Sequence, residues 1–257
     1  TIENRADRIA TIMIAPLMTC SARLPVYTLL IAAFVPSNTV LWGWVGLPGL
    51  VMFGLYASGI LAGLMVAFVL KRTALKGARE PLLMQLPAYR LPRLKNVALS
   101  LYDRGKAFLT LATFPAPPEG ATQAAIHYSF AGMIGHALAP IVAPIGFNWQ
   151  IAIALVPGMA AREVAVAVLG TIYALSDNGD ALQTSLAAAL AQSWSLPTAL
   201  SLLAWYVFAP QCLATLSVVR RELHSLFWPT VMFVFLLTLA YGAAFITYQT
   251  ARLVFGG

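Results

Sequence analysis

The sequence is poor in charge. Only 10% of its 257 residues are Asp, Glu, Lys or Arg, against roughly 25% in a soluble globular domain. With 60% apolar residues and a mean hydropathy of +0.80, that scarcity excludes an ordinary soluble domain. It predicts an all-α, polytopic helical membrane protein. The chain holds 3 His and 9 Asp plus Glu. It has neither an HExxH pair nor a nucleophile–base set, which argues against an enzyme. There are two cysteines, Cys20 and Cys212, each in an apolar segment, so no disulfide can be inferred. The first residues lack Met and lack the basic, apolar and small-residue order of a signal peptide. The expectation from that start is a piece of a longer chain.

The formal net charge is +7, and its distribution argues against nucleic acid. Nine of the 16 Lys and Arg lie from Lys71 to Lys106, whereas Arg23 is the one charged residue from Ile9 to Leu70. Such clustering is the positive-inside pattern of a membrane protein.

Taken in order, Ile9 to Pro36 is a membrane segment interrupted by Pro16, Thr19-Cys20-Ser21 and Pro25, so it is expected to be a broken helix. Trp42 and Trp44 fit an aromatic belt. Leu47 to Leu70 is a second span, with Gly59 and Gly63 as a small-xxx-small packing face. Residues 71–122 are a basic loop whose 80–96 stretch has three prolines, an amphipathic surface helix over 94–111, and a Pro-rich loop over 113–122. His127 to Pro144 is a moderately apolar helix. Asn148 to Leu175 is long enough to cross a bilayer, yet it carries Pro157-Gly158, Arg162 and Glu163 in its interior. An acidic turn (Asp177, Asn178, Gly179, Asp180) closes it. A short amphipathic helix (Ala181 to Ser193), a span over Leu196 to Val219, and a last span over Phe227 to Tyr248 complete the chain. Residues 1–70, 71–122 and 123–257 form the three expected parts.

Side counting adds a constraint. With the basic stretch inside and the acidic turn outside, the 148–175 helix starts inside. Ala124 to Ile145 must then lie on the surface or re-enter, unless a neighbouring span is absent. Re-entrant and broken helices are therefore part of the expected fold.

Four stretches carry a resemblance. IENRADRIATIMIAPLMTCSARLPVYTLLIAAFVP resembles the segment joining the two gate modules of the bacterial ferrous iron transport protein B family. EPLLMQLPAYRLPRLKNV resembles its cytoplasmic loop, and GHALAPIVAPIGFNWQIAIALVPGMAAREVAVAVLGTIYAL its second gate module. YVFAPQCLATLSVVRREL is similar to the helix that follows. The resemblance implies a polytopic inner-membrane transporter of Fe2+ that holds no permanent cofactor. It implies as partners the lipid bilayer, further copies of the chain, and the parent protein's N-terminal GTPase and first gate module, neither of which this sequence contains. No G-x-x-x-x-G-K-S/T phosphate loop is present, so GTP hydrolysis is not expected of these residues. Family members also carry a full span between the amphipathic helix and the Pro-rich loop. Here Phe108 to Pro115 leaves no room for the ~20 residues such a span needs.

An Fe(II) path needs thiolate, carboxylate, imidazole or thioether donors. Counting inward at 1.5 Å per helical residue, Cys20 lies roughly 18 Å past Arg8, Cys212 roughly 12 Å before Arg220, and Glu163 roughly 21 Å before Asp177. Cys20, Cys212 and Glu163 are therefore the metal candidates. His127 and His136 read as interfacial or packing residues. Arg162 and Glu163 sit about 100° apart on a helix and do not face each other. Glu163 either pairs with Arg23, as a structural tie, or itself receives the cation while Arg162 is the paired member. Two other functions remain open: a non-transporting membrane scaffold built on a gate module, and a nucleoside-type transporter.

Overall fold

The computed structural model describes residues 5–18, 20–35, 40–41, 45–73, 130–160, 162, 164–176, 186–210 and 212–255, together with 95, 98, 99, 101, 102 and 106. The expected surface helix over 94–111 lies mostly outside the described residues, and the Pro-rich loop and His127 entirely so.

The first membrane segment is broken as expected. Helix α1 (Arg5–Ile14) passes into a 3-10 turn, Ala15–Leu17, and Met18 is extended at ψ 134°. A second 3-10 turn, Ser21–Arg23, leads into α2 (Leu24–Phe34). Pro16 and Pro25 each sit in the first turn of a helical element, where a missing N–H costs no hydrogen bond. A short ribbon follows, β1 (Val40–Leu41) antiparallel to β2 (Val45–Gly46), with Val40 opposite Gly46. It is the one departure from an all-α fold among the described residues. Helix α3 (Leu47–Thr73) then runs back along α1. Gly59 and Gly63 are buried, and a Cβ at Gly63 would stand 3.8 Å from both Ile14 and Leu17.

Bent and reversed helices make up the second half. Helix α4 (Phe130–Val142) and its 3-10 extension Ala143–Ile145 end at Gly146, φ +80°. Glycine adopts that left-handed conformation without a Cβ penalty, and a Cβ here would also strike the Tyr248 ring. Helix α5 (Trp149–Ala160) leaves at 103° to α4. Across a three-residue gap comes α6 (Val164–Ser176). Helices α7 (Leu186–Ser193) and α8 (Leu196–Phe208) form a second bent pair at 117°. Helix α9 (Leu213–Leu223) and the long α10 (Phe227–Phe255) close the chain.

Two stretches expected as single spans are each two helices. The 148–175 helix breaks at 161–163, not at Pro157-Gly158, which stays inside α5. The chain folds back there, since a Cβ on Gly158 would lie 3.1 Å from the Ala165 Cβ. Seven residues of continuous helix would separate them by about 10 Å. At 12 and 13 residues, α5 and α6 are each about 18–20 Å long, short of a ~30 Å hydrocarbon core. The 196–219 stretch breaks because Pro210 disfavours the helical region at the residue before it, and Ala209 is extended at ψ 142°.

Three stretches are long and apolar enough to cross a membrane: Arg8–Phe34, Leu47–Leu70 and Phe227–Phe255. Counting each bent pair as one span raises the number to five among the described residues. Helix α8 is the centre of the packing, with nine of its residues buried. It lies along α10 and touches α2 and α3. The main core gathers α2, α5, α6, α8 and the middle of α10, and a second cluster joins α1, α9 and the start of α10.

Candidate functional site

The site forms at the C-terminal end of α8. A helix leaves its last carbonyls without intrahelical partners and carries partial negative charge at that end. Because Pro210 stops the helix, α8 ends there inside the protein, and two buried arginines complete it. Arg23, 0% exposed, donates Nη1–H to Val207 O at 2.8 Å and Nη2–H to Pro16 O at 3.0 Å. Arg162, 4% exposed, donates from Nη2 to Ala209 O and Pro210 O, both at 2.9 Å. Arg23 belongs to the break between α1 and α2, and Arg162 to the break between α5 and α6. Three helix breaks therefore converge, tied by two guanidinium groups.

The arrangement leaves spare donors. Arg23 Nε, Arg162 Nη1 and the Tyr27 hydroxyl are buried with no hydrogen-bond partner among the described residues. Beside Arg162 lies a cavity of about 30 Å³, lined by Gly158, Met159, Trp205, Tyr206 and Pro210 among others. That volume is enough for a water molecule.

The sequence-chosen residues fall as follows. Cys20 is exposed and caps the Ser21–Arg23 turn, where its carbonyl accepts the Arg23 N–H at 3.1 Å. Cys212 is half-buried and caps α9; its carbonyl accepts the Thr215 N–H at 2.9 Å and its Sγ lies 3.4 Å from Thr215 Oγ1. Both cysteines are free thiols. The depth count for Cys20 assumed helix throughout, and the extended Met18 interrupts it. Glu163, and with it the expected pairing with Arg23, lies outside the described residues. Arg162 lies inside them with carbonyl partners. His136 is exposed on α4 and stacks on Trp149, ring centroids 4.9 Å apart. No group of three His, Cys, Asp or Glu that could hold a metal ion occurs among the described residues.

Sequence reasoning missed the carbonyls of Val207, Ala209 and Pro210, although the Ala-Pro pair after an apolar run was a signal for them. It also missed Ser201. That fully buried hydroxyl is 2.7 Å from Ile145 O and 3.1 Å from Ala244 O, tying α8 to the turn after α4 and to α10. Little in the sequence distinguishes it from any other serine in a span.

Comparisons with known proteins place the chain among transporters. A family model described as ferrous iron transport protein B C terminus matches residues 52–104. A gate model described as nucleoside recognition matches residues 119–226. An Fe(2+) transporter FeoB of Leptospira interrogans is 36% identical over 98% of this chain and 40% of its own length. One from Campylobacter jejuni is 31% identical over 99% of this chain and 43% of its own. One from Staphylococcus aureus is 33% identical over 98% and 38% respectively. The chain thus spans about two fifths of the length of the curated relatives it matches. The Leptospira alignment runs over 283 positions, more than the 257 residues of this chain, so that relative carries residues this chain lacks. No solved structure matches. By its two model matches and its identity to these transporters along nearly its whole length, the chain belongs to the ferrous iron transport protein B family.

Proposed function

We propose that this chain is the membrane-pore portion of a GTPase-coupled Fe(II) importer of the bacterial inner membrane, and that the ion passes where the three helix breaks meet. The observation that carries this reading is the bonding of Arg23 and Arg162, from two separate breaks, to carbonyls of a third break between Val207 and Pro210. Interrupted helices at membrane depth are tolerated where they are buried or line a path, and transporters build their ion sites from them. In the sequence, each interruption also carries one candidate donor: Cys20, Glu163 and Cys212. Thiolates and a carboxylate can replace water around Fe(II). Glu163 keeps two roles under this reading, cation receptor or counter-charge to Arg23. Residues 1–70 and 123–257 supply the membrane body, and 71–122 the cytoplasmic loop. GTP hydrolysis belongs to a part of the parent protein outside this sequence, and the chain itself is not an enzyme.

The test is uptake of radiolabelled Fe(II) under reducing conditions by the full-length parent protein. Cys20→Ser, Cys212→Ser and Glu163→Gln are expected to lower uptake at least about tenfold at equal expression, in line with losing groups at a metal site. Uptake unchanged in all three would overturn the path. Swapping the charges (Arg23→Glu with Glu163→Arg) separates the two roles of Glu163: recovery in the double variant assigns it to the tie.

A second reading, nucleoside-type transport, is favoured only by the description of the gate model. Saturable nucleoside uptake without Fe(II) uptake would select it. Absence of both would select the membrane-scaffold reading.

A further inference from the structure

Away from the meeting of the breaks, α9 ends in a recess of about 670 Å³ lined by Ser217, Arg220, Arg221, His224, Ser225 and Leu226. We propose that it binds the phosphate of an anionic phospholipid headgroup. Neither Arg220 nor Arg221 forms an ion pair among the described residues, and both are exposed. The nearest carboxylate in sequence, Glu222, points elsewhere on the helix, about 100° from Arg221, and is not part of the lining. Two guanidinium groups can hold phosphate oxygens through paired N–H donors, a geometry a lysine pair does not offer. The recess also adjoins the start of α10, whose first N–H groups carry partial positive charge. There Ser225 Oγ accepts the Phe227 N–H at 3.2 Å.

The surroundings favour a lipid over free phosphate. Leu226, part of the lining, and Phe227 are 62% and 65% exposed. Phe227 packs edge-on against Trp228 at 5.7 Å. Val218, on the outer side of α9, is 48% exposed. An acyl chain could therefore leave the headgroup along apolar surface at the end of a membrane-spanning helix, where aromatic residues mark the bilayer interface. Basic recesses at this depth suit anionic headgroups. His224, left-handed at φ 47°, ends α9 and is part of the lining. The proposal needs only that the chain spans a membrane and is independent of what it transports.

Native mass spectrometry of the detergent-solubilised full-length protein, titrated with phosphatidylglycerol and with phosphatidylcholine, tests it. Wild-type protein is expected to retain phosphatidylglycerol preferentially. Arg220→Gln and Arg221→Gln are each expected to weaken that binding about fivefold, and the pair about thirtyfold, at roughly 1 kcal/mol per surface arginine. Arg252→Gln, at the far end of α10, should leave it unchanged. The single variants each keep one guanidinium and carry the test if the double variant does not fold. Equal retention of both lipids, or equal loss in Arg252→Gln, overturns the site. Displacement of phosphatidylglycerol by equimolar inorganic phosphate overturns the lipid as its occupant.

Discussion

At the scale of single residues, the two buried arginines look alike but bond differently, and that difference is testable. Arg23 uses two nitrogens to reach two carbonyls on different elements, Val207 O and Pro16 O. Arg162 uses one nitrogen for two nearly adjacent carbonyls, Ala209 O and Pro210 O. A lysine ammonium is a point donor that can serve adjacent acceptors but cannot fork between separated ones. Arg162→Lys is therefore expected to cost about 1 kcal/mol. Arg23→Lys should cost about 2–3 kcal/mol, since it leaves a buried carbonyl unpaired next to a charge. Thermal unfolding of the purified protein in detergent measures both, and an equal or reversed order would remove the distinction. The need for partners was legible in the sequence, because charges in an apolar run demand them. Their identity was not, because a backbone carbonyl at a helix end has no residue type to announce it.

At the scale of elements, the bent pairs depend on close approach, and glycine positions separate tight contacts from open ones. A Cβ on Gly135 would run into the Ile153 side chain and come within 2.9 Å of Trp149 O. Gly135→Ala must then push α4 away from α5. Overpacking of this kind is expected to cost about 1–3 kcal/mol. Gly54, inside α3, has nothing within 4 Å of its would-be Cβ. Gly54→Ala should be neutral or stabilise by up to about 1 kcal/mol through helix propensity alone. Unfolding midpoints of the two variants moving in the same direction would contradict this packing. Element existence was well legible: the broken first segment, α3 and α10 follow from proline positions and long apolar runs. The reversals were less so. Ala209-Pro210 carried its own signal in the restriction that proline places on its predecessor. The fold-back at 161–163 had none of that kind. Proline lies four residues earlier, in the last turn of α5, and the reversal is revealed only by the approach of Ala165 to Gly158.

At the scale of the molecule, the packing fixes how the long helices run relative to one another, and charge then fixes their sides. Val66 and Leu70, at the end of α3, pack in the cluster that holds Val219 and Leu223 of α9 and Met232 near the start of α10. Val51, Met52 and Leu55, at the other end of α3, pack against the cluster containing Ala240 and Ala244. Helices α3 and α10 are therefore antiparallel, with Lys71-Arg72 and Arg220-Arg221 at one end. The positive-inside pattern puts the basic stretch that opens with Lys71-Arg72 inside, and the packing brings Arg220-Arg221 to that same end. The convergence of three breaks around α8 was beyond the reach of charge, because it depends on contacts between residues far apart in sequence, 184 positions for Arg23 and Val207 and 47 for Arg162 and Ala209. The orientation makes a definite forecast for the full-length protein in a background free of Cys20 and Cys212. A membrane-impermeant maleimide should label Arg72→Cys and Glu222→Cys only in inverted membranes, and Leu253→Cys only in right-side-out ones. Labelling of positions 72 and 222 from opposite sides would contradict the shared end of α3, α9 and α10. Labelling of both only from the outside would keep that packing and overturn the inside assignment drawn from charge.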